Sequence, residues 1–149
     1  MAGPTLLRPS GRRPPTPILT PTPTPTNAPP VVAITQPETD SGQYDAEYRA
    51  DSQDGSGYYK EIVLQGIATD LEDDVLSDPS LVWTTEHTDM QKDPLGTGIQ
   101  VTARLYLQAE CSGSEKVGTL HKITLTGTDS GGKVASAVRM ISIWIDCVY

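Results

Sequence analysis

Phenylalanine is absent from the 149 residues, and only two cysteines, two histidines and 11 basic side chains are present. Each shortage excludes something. Without phenylalanine, an interior must be filled by Ile, Val, Leu and Trp83. With 19 acids against 11 bases the net charge is -8, which argues against a general nucleic-acid binder, because phosphate contacts need clustered Lys and Arg. No apolar run approaches the ~20 residues of a membrane-spanning helix, so no membrane insertion is expected. No Cys-x-x-Cys occurs, which removes the usual zinc site. No stretch keeps a helical period, and no Gly-rich phosphate loop, Ser–His–Asp set or pair of buried carboxylates can be assembled. The chain is expected to be non-catalytic and to need no cofactor, Ca²⁺ apart.

Proline is plentiful and unevenly spread. Residues 1–30 hold ten of the 13 prolines, three arginines and no acid, leaving 8 bases and 19 acids, a charge of -11, on residues 31–149. Pro14-Pro15-Thr16-Pro17 and the Thr-Pro alternation from Thr20 to Thr26 fix φ repeatedly and remove donors. Such a segment favours extended polyproline II at roughly 3.1 Å per residue, a stiff solvated spacer. Thr-Pro tracts also occur in O-glycosylated stalks, and Pro-x-x-Pro ligands share the composition. Leu6-Leu7 and Ile18-Leu19 are its only apolar pairs, and neither makes the core of a secretory signal. Export is expected through a signal further upstream or by another route, such as inside a virus particle. Two units follow: an extended tail over 1–30 and a folded domain over 31–149.

Residues 31–149 read as all-β. Short β-branched runs recur between Gly, Asp, Ser and Pro clusters. The expected strands are Val31–Thr35; Lys60–Thr69, with Ile62, Leu64, Gly66 and Ala68 on one face; Leu81–Thr85, carrying Trp83; Gly98–Leu107, with Ile99, Val101, Ala103, Leu105 and Leu107 inward; His121–Thr128, with Ile123, Leu125 and Gly127 inward; and Lys133–Ile145, with Ile141, Ile143 and Ile145 inward. A further short strand is expected near Met90–Lys92. Asp129-Ser130-Gly131-Gly132 is the turn between the last two long strands, its glycines supplying positive φ. Half-buried alternating strands need a second sheet to cover them, and about seven strands is the size of an immunoglobulin-like antiparallel β-sandwich.

The residues also carry a resemblance. Ile34, Pro37, Val63, Leu64, Gly66, Ala68, Asp70, Glu72, Asp73, Leu81, Trp83, Leu95, Gly96, Gly98, His121, Ile123, Thr124, Leu125, Asp129, Ser130, Gly132, Ile141 and Ile143 follow an order that resembles bacterial Ig-like domains of the PKD-like and cadherin-like type. The resemblance covers most of residues 31–145 and implies a module of secreted, surface or virion proteins. It is far more specific for fold than for ligand. The chain departs from the pattern in a long connection over Glu38–Tyr58 and an insertion around Cys111–Ser114.

Cys111 precedes the penultimate strand and Cys147 follows the last. If those strands are antiparallel neighbours, both cysteines sit at one end and a disulfide is feasible. A closed loop of about 36 residues corresponds to roughly 3–4 kcal/mol in the loop-entropy model, and the bridge implies an oxidising compartment. Two free thiols in an intracellular protein are the alternative.

Asp70, Glu72, Asp73, Asp74 and Asp78 crowd the connection after the second strand, and Asp129 opens the last turn. In an Ig-like sandwich these loops share one end, so Asp70, Glu72, Asp73, Asp74 and Asp129 can be read as a Ca²⁺ site or as carboxylates bonded to turn amides. Asp129-Ser130-Gly131-Gly132 resembles the nucleophile segment of trypsin-like proteases, and Asp-Ser-Gly the aspartic-protease signature. Both lack their required context. His121 is expected to pack and bond a backbone group; His87 is expected in a solvated loop. Tyr44, Tyr48, Tyr58 and Tyr59 bracket a polar loop and can stack on sugars, pack on a partner or fold back over the sandwich edge. Tyr106 and Trp144, with Val138 and Met140, are expected to form an outward apolar patch. The composite expectation is an extracellular, cell-surface or virion-surface module for adhesion, display or assembly. Its partner would be a protein or glycan surface, or a second copy. The alternatives are a filament or shell subunit whose tail packs on a neighbour, and a carbohydrate-binding module.

Overall fold

The computed structural model describes residues 3–4, 11–24, 26–87 and 92–148. Among them are ten strands and no helix: β1 (Val31–Gln36), β2 (Ala46–Arg49), β3 (Ser52–Asp54), β4 (Gly57–Asp70), β5 (Asp74–Val75), β6 (Leu81–Glu86), β7 (Lys92–Thr97), β8 (Gln100–Tyr106), β9 (Lys116–Thr128) and β10 (Val134–Asp146). They form two five-stranded sheets. In the first, β1, β3, β5 and β8 all pair antiparallel with the long β4. The second has the order β2-β10-β9-β6-β7 and is antiparallel except at β2, which runs parallel to β10.

Alternation drives this arrangement. β4 turns Ile62, Leu64, Gly66 and Ala68 inward and leaves Glu61, Val63 and Ile67 outside. β8 buries Ala103 and Leu105; β6 buries Leu81 and Trp83; β9 buries Ile123 and Leu125; β10 buries Ile141 and Ile143. These inward faces from both sheets meet in one core, as aligned sheet packing requires. The sheets approach closely over Gly66. A Cβ there would overlap Leu125 and stand 3.0 Å from the Ala33 carbonyl oxygen and 3.1 Å from Trp83 Cζ2. Gly66→Ala is therefore expected to lower stability by about 2 kcal/mol through overpacking. Urea unfolding reads this, and an unchanged midpoint would show that the sheets can part without cost.

Several expectations are corrected. The Glu38–Tyr58 connection is structured. The Asp45 amide donates to the Met140 carbonyl (3.0 Å) and the Met140 amide to Asp45 Oδ2 (2.7 Å), and this reciprocal pair starts β2 alongside β10. β3 and β4 form a hairpin in which Gly57 takes φ 123°. These additions raise the count above seven. The strand expected near Met90–Lys92 lies largely outside the described residues, and β7 begins at Lys92. Ile99 is 56% exposed rather than inward, because the chain is still turning at Gly98 (φ 99°) and the pleat starts at Gln100. Ile145 is only half-buried. In the last turn only Gly132 has positive φ.

Residues 11–24 are exposed and have no regular secondary structure. Among the described residues of the 1–30 segment, Asn27 is tied to the domain, its Nδ2 donating to Asp129 Oδ2 at 3.1 Å, and Pro30 is buried. The chain thus enters beside the β9–β10 turn. Arg139 ties this region across the sheets by donating to the Ile34 carbonyl at 2.8 Å.

Candidate binding surface

The strand registers define two ends. At the entry end lie Val31 opposite Thr69, the β9–β10 turn and the acidic β4–β6 connection. At the far end lie the start of β4 opposite the end of β8, and the start of β9 opposite the end of β10. Every candidate side chain falls at or between these ends.

At the entry end the carboxylates are engaged with the loops that carry them. Asp70 Oδ1 accepts the amides of Glu72 (2.9 Å) and Asp73 (3.0 Å), while its Oδ2 is buried without a protein donor. Asp73 accepts the Ser130 amide (2.6 Å) and hydroxyl (2.7 Å), bonds that hold its carboxyl below the usual range. Asp129 accepts the Lys133 amide at 2.7 Å and the Asn27 side chain. Glu72 and Asp74 are exposed. The structure does bring the two loops together, through Asp73 and Ser130. Among the described residues, no three His, Cys, Asp or Glu side chains are grouped to hold a metal ion. Geometry favours the reading as turn hydrogen bonds, because oxygens committed to amides do not converge on one point. Ser130, the residue of the trypsin-like string, gives its hydroxyl to Asp73 rather than to an imidazole.

Both histidines sit nearer mid-sheet, with rings 5.7 Å apart. His121 is 2% exposed. Its Nε2 lies 2.8 Å from the Tyr106 carbonyl oxygen and its Nδ1 3.1 Å from Thr85 Oγ1. A carbonyl only accepts, so Nε2 carries the proton and Nδ1 accepts from the threonine. The bond to Tyr106 joins β9 of one sheet to β8 of the other. Burial, with a further push from His87, holds the His121 imidazole below its ordinary value against the opposing pull of the Tyr106 carbonyl. His87, Asp93, Arg104 and Tyr106 line the same small cavity of about 210 Å³. His87 is half-buried rather than solvated.

The unfolded chain takes up the His121 proton near pH 6.5 and the folded chain only at lower pH. The stability contribution is complete above about pH 6.5 and is lost as pH falls toward the lowered folded value, by at most about 1.4 kcal/mol per pH unit. Denaturant unfolding at pH 7.5 and pH 5 is expected to show this loss, reduced in His121→Gln. An identical pH dependence in the variant would refute the assignment.

At the far end the aromatic residues fall into separate groups. On the outer face of the first sheet, Tyr106 donates its hydroxyl to Asp54 Oδ2 at 2.8 Å. The Tyr59 and Tyr106 rings stand 5.4 Å apart, with the Arg104 guanidinium 4.8 Å from the Tyr59 ring centre. Asp54 is held below the usual carboxylate range by the Ser56 amide and then by Tyr106; the Tyr106 phenol is correspondingly raised. Tyr58 is 44% exposed and borders an open cleft of about 690 Å³ whose other walls include Leu107, Ile145, Val148 and the Cys111–Cys147 disulfide. Tyr48 on β2 is half-buried, and burial, reinforced by Asp40, raises its phenol. Tyr44 and Trp144 line a groove on the outer face of the second sheet.

Tyr106 therefore does not share a patch with Trp144, Val138 and Met140, which lie on the outward face of β10. β8 belongs to the first sheet and β10 to the second, so their outward faces point in opposite directions. The strand parity was right, and the assumption that both strands expose one common surface was not. The residues sequence reasoning passed over are Arg104 and Lys116, the cations that pack on these aromatics. Arg104 alternates outward two positions before Tyr106, which was the available signal. Lys116 sits beyond the expected strand boundary and left none.

Fold and surface together define a disulfide-braced all-β domain of two packed sheets, with Tyr58, Tyr59, Tyr106 and Trp144 toward the end away from chain entry. The chain matches no protein-family model, no curated protein and no solved structure.

Proposed function

We propose that the chain is a non-catalytic module, displayed outside the cell or on a virion, in which an immunoglobulin-like sandwich rides on a Pro/Thr-rich stalk and adheres to a protein or glycan surface. The carrying observation is polarity. The proline-rich segment joins at the Asp129 end, while Tyr58, the Tyr59–Arg104–Tyr106 cluster and the 690 Å³ cleft lie at the other. A stalk entering at one end leaves the opposite end free, and tyrosine and arginine give large contact area at low entropic cost. The joined cysteines suit an oxidising compartment, and among the described residues no helix is long and apolar enough to cross a membrane.

Orientation tests this. Beads carrying the full chain coupled through its N-terminus are expected to adhere to the surface of the source organism or its host. Beads coupled through the C-terminus, beside the cleft at Val148, are expected to lose adhesion. Equal adhesion in both orientations, or none in either, defeats the proposal.

A second reading, a structural subunit that self-associates, is favoured by the outer face of the first sheet, where Val31, Val63, Ile67 and Val75 are 71%, 46%, 49% and 65% exposed. Sedimentation of the full chain and of Ile67→Lys decides it. Mass rising with concentration only in the parent supports assembly; two monomers end it.

A further inference from the structure

We propose that the groove over β2, β10 and β9 on the outer face of the second sheet is a binding site for neutral saccharides. This rests on the reading of the far end as a contact surface and names a ligand class for one part of it. The pairing registers build the groove in two rows. Glu47, Ser142 and Leu120 stand abreast across β2, β10 and β9; Arg49, Trp144 and Gly118 stand abreast in the next row. Gly118 has no side chain, and a Cβ there would stand 3.4 Å from both Ser142 Oγ and Trp144 Cβ, so its backbone forms the floor between them. Tyr44, from the segment leading into β2, lines the same space, whose volume is about 390 Å³. That lies within the range of small-ligand sites.

The chemistry of the lining selects the ligand. A pyranose ring offers a face of C–H groups and a rim of hydroxyls. The indole of Trp144 and the phenol of Tyr44 supply flat π faces for the first. Gln43, Glu47, Lys116 and Ser142 supply donors and acceptors for the second. Ser142 is the most telling of these. It is 7% exposed and lines the groove, with its Oγ 3.4 Å from where a Cβ on Gly118 would stand. A hydroxyl held there is available to a ligand.

Lys116 Nζ lies 4.1 Å from the Trp144 ring centre, and the Arg49 guanidinium carbon 5.9 Å from it. An exposed cation–π contact is weak, so a sugar can displace the ammonium and then take a hydrogen bond from it. Glu47 in the wall offsets Lys116, and the charge of -11 on residues 31–149 works against an anionic ligand, which favours an uncharged sugar.

The two tryptophans provide a built-in readout. Trp83 is 0% exposed in the core, whereas Trp144 is half-buried at the groove. The full chain, applied to an array of neutral oligosaccharides (β-1,4- and α-1,4-glucans, mannans and N-acetylhexosamine oligomers), is expected to bind at least one class. Titration with that oligosaccharide is expected to shift Trp144 emission. Trp144→Ala and Ser142→Ala are each expected to weaken binding by about tenfold or more, with the buried Trp83 emission and the melting temperature preserved as evidence of folding. Leu71→Ala, 88% exposed at the entry end and outside every contact surface described, is expected to bind normally. No binding of any class at millimolar oligosaccharide overturns the site, as does full affinity in a folded Trp144→Ala. Either failure leaves the orientation-dependent adhesion standing if that is observed; loss of both would bring down the broader reading with it.

Discussion

Trp83→Ala is expected to remove about 5 kcal/mol of folding stability. Trp83 is wholly buried on β6, and its indole Nε1 donates to the Gly98 carbonyl at 2.8 Å. Truncating a buried tryptophan costs about 3–5 kcal/mol in transfer and cavity terms, and a buried carbonyl left without its donor adds about 1 kcal/mol. No neighbouring phenylalanine exists to collapse into the space. Against the 5–15 kcal/mol typical of a domain, such a loss removes about a third or more of the total and, at the lower end, leaves the variant half-unfolded at ambient temperature. Trp83→Phe keeps most of the volume and loses the N–H, so a smaller effect of about 2 kcal/mol is expected. Equilibrium unfolding in urea measures both. A cost below that of Phe for the alanine variant would mean the core is not organised around this residue.

Severing the Cys111–Cys147 bridge is expected to cost about 4 kcal/mol in the loop-entropy account. The cysteines are 36 residues apart in sequence with Cα atoms 5.6 Å apart. The bridge ties the segment following β8 to the end of β10, where the Cys147 amide also reaches the Glu115 carbonyl at 3.4 Å. For a domain of this size the loss corresponds to roughly 10–15 °C in melting temperature. Scanning calorimetry with and without reductant, and of the Cys111→Ser/Cys147→Ser double variant, reads it. Because the bridge borders the far-end cleft, adhesion through that end is expected to fall as well, at temperatures where the reduced domain remains folded. A melting temperature indifferent to reductant would show that the link constrains little.

Parts of this were legible before any coordinates. Alternation in Lys60–Thr69 and His121–Thr128 fixed which side chains face inward, because a strand has a period of two and one wrong step would bury Glu61 or Lys122. The cysteine pairing followed from the adjacency of the last two long strands. The site was less readable. Tyr44 and Tyr48 lay in what reads as a loop, since the partner of β2 is β10, and the Asp45–Met140 bond that starts the pairing spans 95 residues. Local composition cannot signal a parallel partner that distant. Tyr106 and Trp144 were each placed outward correctly, yet periodicity says nothing about which of two sheets a strand joins.

By itself, then, the amino-acid order determined a proline-rich segment without acids and an all-β remainder with a defined inward face, because composition and residue alternation are properties of neighbours along the chain. Only tertiary structure decided which surfaces exist. The β2 edge, the row of Glu47, Ser142 and Leu120, and the separation of the tyrosine cluster from Trp144 all arise from strand order. Strand order is set by which apolar faces bury each other best across the whole domain, a comparison no short window of sequence contains.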